Sequence, residues 1–215
     1  VTLPAGAEVV LFTGTPETMI REYQSLFGPV QLPPRWAFGP WISANRWNSQ
    51  AQVEQLLEKL VSCGFPATVL VLEAWSDEAT FYLWNGAKYT PMSGGQPLRY
   101  EDLDFTGSPW PDPRGMVEKL HAAGLHLVLW QEETPNPQNE LDRADAVRRG
   151  LCVRQAGGEP YTIPSGHWFA GSMLPDFTCP QAVSTWFAKR QYLLDMGVDG
   201  FKTDGGEFIC DPGAR

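Results

Sequence analysis

The sequence lacks the features that mark membrane-spanning and nucleic-acid-binding proteins. It contains no apolar stretch long enough to span a bilayer. Lysine and arginine together number 16 against 25 aspartates and glutamates, which gives a formal net charge of −9. A chain of that charge is repelled by nucleic-acid phosphates and by anionic lipid headgroups. We therefore predict a protein whose partners include neither nucleic acid nor a membrane.

Metal-binding and disulfide patterns are missing as well. Cys63, Cys152, Cys179 and Cys210 are widely spaced, form no C-x-x-C pair, and do not group with the three histidines along the sequence. We therefore expect neither a metal site nor a cofactor. This cysteine usage favours a cytoplasmic location, with secretion as the alternative. The chain begins with Val1, so a preceding signal peptide is left open.

The composition that is present is that of a globular protein. Of the 215 residues, 43% are hydrophobic and 19% charged, which allows one sizeable core or a domain plus part of another. Nine tryptophans are unusual. A tryptophan face packs well against a neutral polar ligand such as a sugar, but for most of the nine we favour packing in the core.

The first 30 residues differ from the rest. Residues 8–13 are predicted to form a strand, and Thr15-Pro16 should begin a short amphipathic helix that ends at Gly28. Pro33-Pro34 then forces an extended connector, because a proline disfavours the helical conformation at the residue that precedes it and does not fit the interior of a helix. We place a domain boundary near residue 30.

Short apolar runs alternate with amphipathic helical patterns from Trp36 onward. Strands are predicted at 37–43, 67–72, 125–130 and after Gly197. Helices are predicted to start at a capping box of Ser49 with Gln52, at Asp112-Pro113, at Asn139, and at Thr178-Cys179-Pro180, the last running to Gly197. Residues 78–111 form a long irregular segment, and 151–163 are expected to form a hairpin.

Acidic residues recur where the predicted strands end, at Glu73, Glu132, Glu133 and Asp204. In a (β/α) barrel the active site forms at the carboxyl ends of the strands. The alternation of strands and helices also fits a doubly wound open sheet, but no glycine-rich phosphate loop follows the first strand. We therefore predict an α/β fold of the (β/α)8 TIM-barrel type, of which four β/α units are present.

The last of these strand ends, Gly200-Phe-Lys-Thr-Asp204, contains the most specific pattern in the sequence. Side chains alternate along a strand, so Lys202 and Asp204 share a face. The lysine would favour the charged form of Asp204, as a carboxylate nucleophile requires. A buried structural ion pair explains the same two residues equally well, and this stretch alone leaves both readings open.

Four segments together resemble the retaining α-glycosidases of glycoside hydrolase family 31. They are Leu32-Pro-Pro-Arg-Trp-Ala-Phe-Gly39, Pro111-Asp-Pro-Arg-Gly-Met116 with Leu120-His121, Leu174-Pro-Asp-Phe-Thr178, and Gly200-Phe-Lys-Thr-Asp204 with Glu207. Their order and spacing agree with the family over nearly the whole chain. The resemblance implies that residues 31–215 are the N-terminal half of a catalytic barrel. It also implies that residues 1–30 are the end of a β-sandwich domain and its linking helix.

The resemblance also implies roles for individual residues. Asp204 matches the catalytic nucleophile and Lys202 the lysine beside it. Glu73 matches an aspartate that holds sugar hydroxyls, and Trp130 a tryptophan that lines the pocket. We add Trp41, on the first predicted barrel strand, to the expected substrate-binding residues.

The function implied is that of a retaining, exo-acting α-glycosidase of the α-glucosidase type, whose partner is an oligosaccharide or α-glycoside. The alternatives are an α-xylosidase or α-galactosidase of the same family, or a carbohydrate-binding barrel without catalysis. Gly205 stands where the α-xylosidase-like branch has phenylalanine. The family's acid/base aspartate is expected beyond residue 215, so residues 1–215 alone should be inactive and should require the other half of the barrel.

Overall fold

The computed structural model describes residues 6–90, 96–134, 139–205 and 209, and it divides into two compact units, residues 1–37 and 38–215. The first unit contains helix α1 (Pro16–Phe27). The Thr15 hydroxyl accepts the N–H of Thr18 at 3.3 Å, and Gly28 ends the helix with φ of 99°. The predicted helix is confirmed, because a hydroxyl N-cap followed by proline favours a helix start.

The strand predicted at residues 8–13 is wrong. These residues have no regular secondary structure, and Val9, Val10 and Leu11 are exposed. An extended segment becomes a strand only when a neighbouring strand pairs with it, and none of the described residues does so. The assignment of residues 1–30 to the end of a β-sandwich domain stays a prediction.

The second unit is built on a four-stranded parallel sheet. Its strands are β1 (Trp41–Ala44), β2 (Val69–Leu72), β3 (His126–Gln131) and β4 (Gly200–Thr203). Each strand pairs with the next one along the chain, in the order β1-β2-β3-β4. Sequential order is the topology of a (β/α) barrel, whereas a doubly wound sheet reverses direction at a switch point. The prediction of a barrel-type sheet is therefore confirmed.

Helices connect the strands and cover the sheet. They are α2 (Gln50–Cys63), α3 (Pro113–Ala122), α4 (Glu140–Arg149), α5 (Pro180–Ala188) and α6 (Gln191–Asp195). Alternate strand residues such as Leu70, Leu72, Leu127 and Leu129 are buried against helix residues such as Met116. Burying a leucine of this kind contributes about 1.5–3 kcal/mol. None of these helices, in the part of the chain described, combines the length and apolarity needed to cross a bilayer.

Helix starts follow the predicted chemistry at α3 and α4 but not at α2. Asp112 accepts the N–H of Gly115 at 3.0 Å, and Asn139 accepts the N–H of Asp142 at 3.3 Å. Ser49 precedes α2 without making a side-chain cap, and Gln52 instead accepts the N–H of Asn48 at 2.9 Å. The predicted capping box is therefore absent, because the Gln52 side chain accepts the N–H of Asn48 rather than that of Ser49.

The last predicted helix is interrupted. The N–H of Leu98 donates to the carbonyl of Ala188 at 3.0 Å, and the Arg190 guanidinium donates to the carbonyl of Trp186 at 3.2 Å. A continuous helix would use both carbonyls for its own ladder. The chain therefore breaks at Lys189 and Arg190, and α5 and α6 replace the single helix predicted.

The segment after β3 forms a small subdomain around the predicted hairpin. Antiparallel bridges join Arg154 to Pro160 and Thr162 to Met173, and Tyr161 is buried in a second, smaller core. This subdomain brings Trp168 and Phe169 to the carboxyl end of β3, where they contact Trp130.

Candidate active site

Asp204 follows β4 directly and lies at the carboxyl edge of the sheet. Strand pairing sets Lys202 opposite Trp130 and Thr203 opposite Gln131. The ladder extends one step further, since the N–H of Asp204 donates to the carbonyl of Gln131 at 3.1 Å. The backbone of Asp204 is therefore held by the same hydrogen-bond pattern that builds the sheet.

Two N–H groups hold the Asp204 carboxylate. The Trp130 indole donates to Oδ2 at 2.9 Å, and the Gly205 N–H donates to Oδ1 at 3.0 Å. These two bonds, with that from Trp130 the larger contribution, lower the pKa of Asp204 below its ordinary value. The side chain is 46% exposed. Asp204 is thus an oriented, accessible anion at neutral pH.

Lys202 joins two carboxylates rather than one. Its Nζ lies 2.9 Å from Glu73 Oε1 and 4.0 Å from Asp204 Oδ2. Glu73 Oε1 also accepts the Ser43 hydroxyl at 2.9 Å. The ion-pair partner of Glu73 is therefore Lys202, from β4. Ser43, on β1, was not predicted, since a serine on a strand carries no distinctive sequence signal.

Trp130 is fixed by aromatic packing and by a second indole. Its ring centroid lies 5.2 Å from that of Phe81 and 5.6 Å from that of Trp168, and its carbonyl accepts the Trp75 indole N–H at 2.8 Å. Phe81 and Phe169 have φ of 53° and 56°, a conformation that costs a non-glycine residue about 1–3 kcal/mol. The surrounding packing keeps these strained residues against Trp130.

Arg190 supports β3 through Gln131, the last residue of that strand. This buried side chain donates from Nε to Gln131 Oε1 at 2.8 Å and packs 3.9 Å from the Trp186 ring. Burial lowers its pKa to about 10, so it remains protonated at neutral pH. Arg190 therefore orients the residue whose carbonyl holds the backbone of Asp204, and sequence patterns gave no indication of this role.

A cavity of about 430 Å³ opens beside Asp204. Its lining residues are Glu133, Leu174, Pro175, Phe177, Trp186, Phe187, Thr203, Asp204, Gly205 and Ile209. Glu133 therefore lines the cavity beside Asp204. The neighbouring Glu132 side chain, in contrast, is fully buried.

The remaining candidate residues and two further tryptophans lie in different parts of the chain. Trp41 is the first residue of β1 and pairs with Val69, so strand register puts it at the amino edge of the sheet, opposite Asp204. This register separates it from Asp204, and its substrate-binding role stays a prediction that the position does not support. Trp75 and Trp84 are fully buried and belong to the core. Glu207 lies outside the described residues.

The fold and site together define a barrel with a carboxylate at the end of its fourth strand, as in glycosidases. A model described as "Glycosyl hydrolases family 31 TIM-barrel domain" matches residues 30–214. The chain is 42% identical to the isomaltosyltransferase of Sporosarcina globispora, over 90% of this chain and 18% of that protein. It is 35% identical to the 1,3-alpha-isomaltosidase of Kribbella flavida, over 93% and 28%.

A solved structure agrees with these similarities. The cycloalternan-degrading enzyme from Trueperella pyogenes, in complex with a covalent intermediate, superimposes with a TM-score of 0.87 at 34% identity. The match covers 94% of this chain and 28% of that one. The chain belongs to glycoside hydrolase family 31 and contains part of its TIM-barrel domain. It spans less than a third of the length of these relatives.

Proposed function

We propose that this chain supplies the nucleophile and the sugar-binding pocket of a retaining α-glycosidase acting on α-glucosyl linkages. The observation that carries the proposal is the Asp204 carboxylate, ionised and held by Trp130 and Gly205 at the end of β4. Preorganised donors of this kind fix the attacking oxygen before the substrate binds.

In the proposed reaction, one oxygen of Asp204 attacks the anomeric carbon of the bound sugar. The bond from that carbon to the leaving oxygen breaks, and a carboxylic acid elsewhere in the barrel protonates the leaving group. The product is a glycosyl ester of Asp204, from which water or another sugar hydroxyl then displaces the carboxylate. A relative of 34% identity whose solved complex contains a covalent intermediate supports this two-step course.

Glu73 and Lys202 are proposed to bind the sugar next to the nucleophile. The hydrogen bonds described for Glu73 all fall on Oε1, from Ser43 and Lys202. Oε2 is then the atom that would accept a sugar hydroxyl. Lys202, whose Nζ lies between the two carboxylates, limits their mutual repulsion.

The substrate proposed is an oligosaccharide with α-glucosyl, in particular isomaltosyl, units. Both curated relatives described above carry names that refer to isomaltosyl groups. Gly205 leaves the pocket wall without a side chain, which favours a hexose over the smaller xylose because a hydroxymethyl group needs room. An α-xylosidase, an α-galactosidase and a non-catalytic sugar-binding barrel are the alternatives.

Transfer to a sugar acceptor is a second candidate outcome of the same intermediate. The relative of 42% identity is a transferase, whereas that of 35% identity is an isomaltosidase. The two activities share Asp204 chemistry and differ in what attacks the ester. Product analysis with isomaltotriose as donor separates them, since hydrolysis releases only smaller sugars and transfer produces longer ones.

Trapping the intermediate tests the proposal. The full-length protein is incubated with a 5-fluoro-α-glucosyl fluoride, which forms the glycosyl ester quickly and hydrolyses it slowly. Peptide mass spectrometry should locate the label on Asp204. The matched control is Asp195→Asn, at the exposed end of α6, which should be labelled as fully as wild type. A label on Glu133, or an inverted first-formed anomer in proton NMR, would overturn the assignment.

A further inference from the structure

Two histidines and an aspartate meet at the amino edge of the sheet, at the opposite end of the strands from Asp204. His121 lies near the end of α3, His126 is the first residue of β3, and Asp199 immediately precedes β4. One side-chain donor atom from each lies within 4.8 Å of those of the other two. Three separate elements therefore present metal-ligating side chains at one place.

Asp199 is the centre of this cluster. Its Oδ2 lies 2.8 Å from His121 Nε2 and its Oδ1 lies 2.6 Å from His126 Nδ1. The N–H of Leu127 donates to Oδ2 at 2.8 Å, and the N–H of Asp199 donates to the carbonyl of Leu127 at 2.9 Å. Asp199 is thus fixed by the β3 backbone through both its amide and its carboxylate. Outer hydrogen bonds of this kind orient the ligands of metal sites.

The donor set suits a divalent transition metal. Imidazole nitrogens and one carboxylate bind zinc at about 2.0–2.2 Å, which separates tetrahedral ligand atoms by about 3.3 Å. The nitrogen–oxygen distances of 2.8 and 2.6 Å here are shorter by about half an ångström. A small outward rotation of the two rings therefore makes room for an ion between the three donors.

The cluster is also accessible. The His121 side chain is 38% exposed and that of His126 is 29% exposed. An ion can enter from solvent, and water can complete four-fold coordination.

We propose that His121, His126 and Asp199 bind one zinc-type divalent ion, in a site that joins α3, β3 and β4 at the amino edge of the sheet. The site does not take part in the glycosidase chemistry proposed above. It replaces two hydrogen bonds with a three-ligand cross-link between elements far apart in the sequence. In the absence of metal, the same residues form a His–Asp–His hydrogen-bonded link, which is the alternative that the experiment separates.

Counting bound zinc tests this site. The full-length protein is stripped with a chelator, dialysed against zinc chloride, and analysed for bound metal by mass spectrometry. His121→Gln, His126→Gln and Asp199→Asn should each bind one equivalent less than wild type, or bind it at least tenfold more weakly. His167→Gln, which changes the third histidine and leaves the cluster intact, is the matched control and should bind as wild type does.

Thermal melting provides a second measurement that does not depend on turnover. Zinc should raise the melting temperature of wild type and of His167→Gln, because a ligand that binds only the folded state stabilises it. It should leave that of His121→Gln unchanged. The site is overturned if wild type and the three cluster variants bind equal zinc, or if His121→Gln keeps the zinc-dependent rise. Either result assigns the cluster to the hydrogen-bonded link alone.

Discussion

The two ends of β4 each hold an aspartate, and the two surroundings differ in almost every respect. Asp199 at the amino end lies between two imidazoles and a backbone N–H, with 17% of its side chain exposed. Asp204 at the carboxyl end accepts from an indole and a backbone N–H, with 46% exposed beside a cavity.

This difference shows how the two ends of a single strand can place the same side chain in a hydrogen-bonded link and beside a cavity. The close partners of Asp199 are two histidine side chains and a backbone N–H, so without a bound ion its carboxylate is hydrogen-bonded within the protein. Asp204 accepts two N–H bonds and still has 46% of its side chain exposed beside the cavity. The same side chain thus becomes a link at one edge of the sheet and a candidate nucleophile at the other.

The largest effect on turnover should come from removing the Asp204 carboxylate, and removing that of Asp199 provides the comparison. Asp204→Ala in the full-length protein should reduce kcat by about four to six decades, as loss of a nucleophile does. Asp199→Asn should reduce it by less than tenfold and act on stability instead. Steady-state assay on an aryl α-glucoside, with Asp195→Asn as control, measures both. Equal losses in the two variants would remove the distinction between the ends of β4.

A smaller effect is expected from removing the indole donor. Trp130→Phe keeps an aromatic ring but loses the N–H that bonds Asp204, and kcat/KM should fall about ten- to a hundredfold. Because that bond lowers the pKa of Asp204, its loss raises the pKa. The acidic limb of the pH profile should therefore move to higher pH.

The control for this variant is Trp168→Phe, which alters an indole stacked on Trp130 and leaves the bond to Asp204 in place. Its acidic limb should stay where it is in wild type. If both variants shift the limb equally, general aromatic packing rather than the Trp130 N–H sets the ionisation of Asp204.

Glu73→Gln tests whether the neighbouring carboxylate serves the sugar or only Lys202. The amide keeps the shape and loses the charge, so kcat/KM should fall by roughly one to two decades, equivalent to about 1.5–3 kcal/mol. The melting temperature should change little, since the ion pair is partly exposed. Unchanged kinetics with a marked loss of stability would make Glu73 a structural partner of Lys202.

The smallest effect on turnover is expected at the amino edge of the sheet. A Cβ on Gly39 would overlap the side chain of Thr68, which begins the approach to β2. Gly39→Ala should lower the free energy of unfolding by about 1–3 kcal/mol, as overpacking does, and leave kcat within a few-fold of wild type. Gly157→Ala adds a methyl into open space and is the matched control in chemical denaturation. Equal stabilities would show that Thr68 rotates away without cost.

Much of the barrel could be predicted from the sequence, because apolar runs, helical spacing and end signals are local. The four strands lie close to where they were predicted, and Gly64 ends α2 in the left-handed conformation that glycine favours after a helix. The false strand at 8–13 and the single helix that became α5 and α6 share one cause. Residues 8–13 have no strand among the described residues to pair with, whereas the Ala188 carbonyl accepts the N–H of the distant Leu98. In both cases a residue distant in sequence decides whether the local pattern becomes regular structure.

The site shows the same limit. Asp204 and Lys202 could be assigned to one face from strand alternation, and their Nζ–Oδ2 distance is 4.0 Å. The Trp130 bond to Asp204 and the Glu73–Lys202 pair join residues 74 and 129 positions apart. The cluster of His121, His126 and Asp199 was not predicted for the same reason, since Asp199 lies 78 and 73 positions from its two partners.

The sequential order of the strands has a consequence for how the protein is made. Each strand pairs with the one synthesised just before it, so the partner of every new strand has already left the ribosome. Domains form from the N-terminal side during synthesis, and a sheet of this order can grow one strand at a time without waiting for distant sequence. Asp204 is synthesised after β1, β2 and β3, the strands that hold or precede the residues near it. Asp204 therefore joins strands that are already paired, and its position is set by a sheet that exists before it.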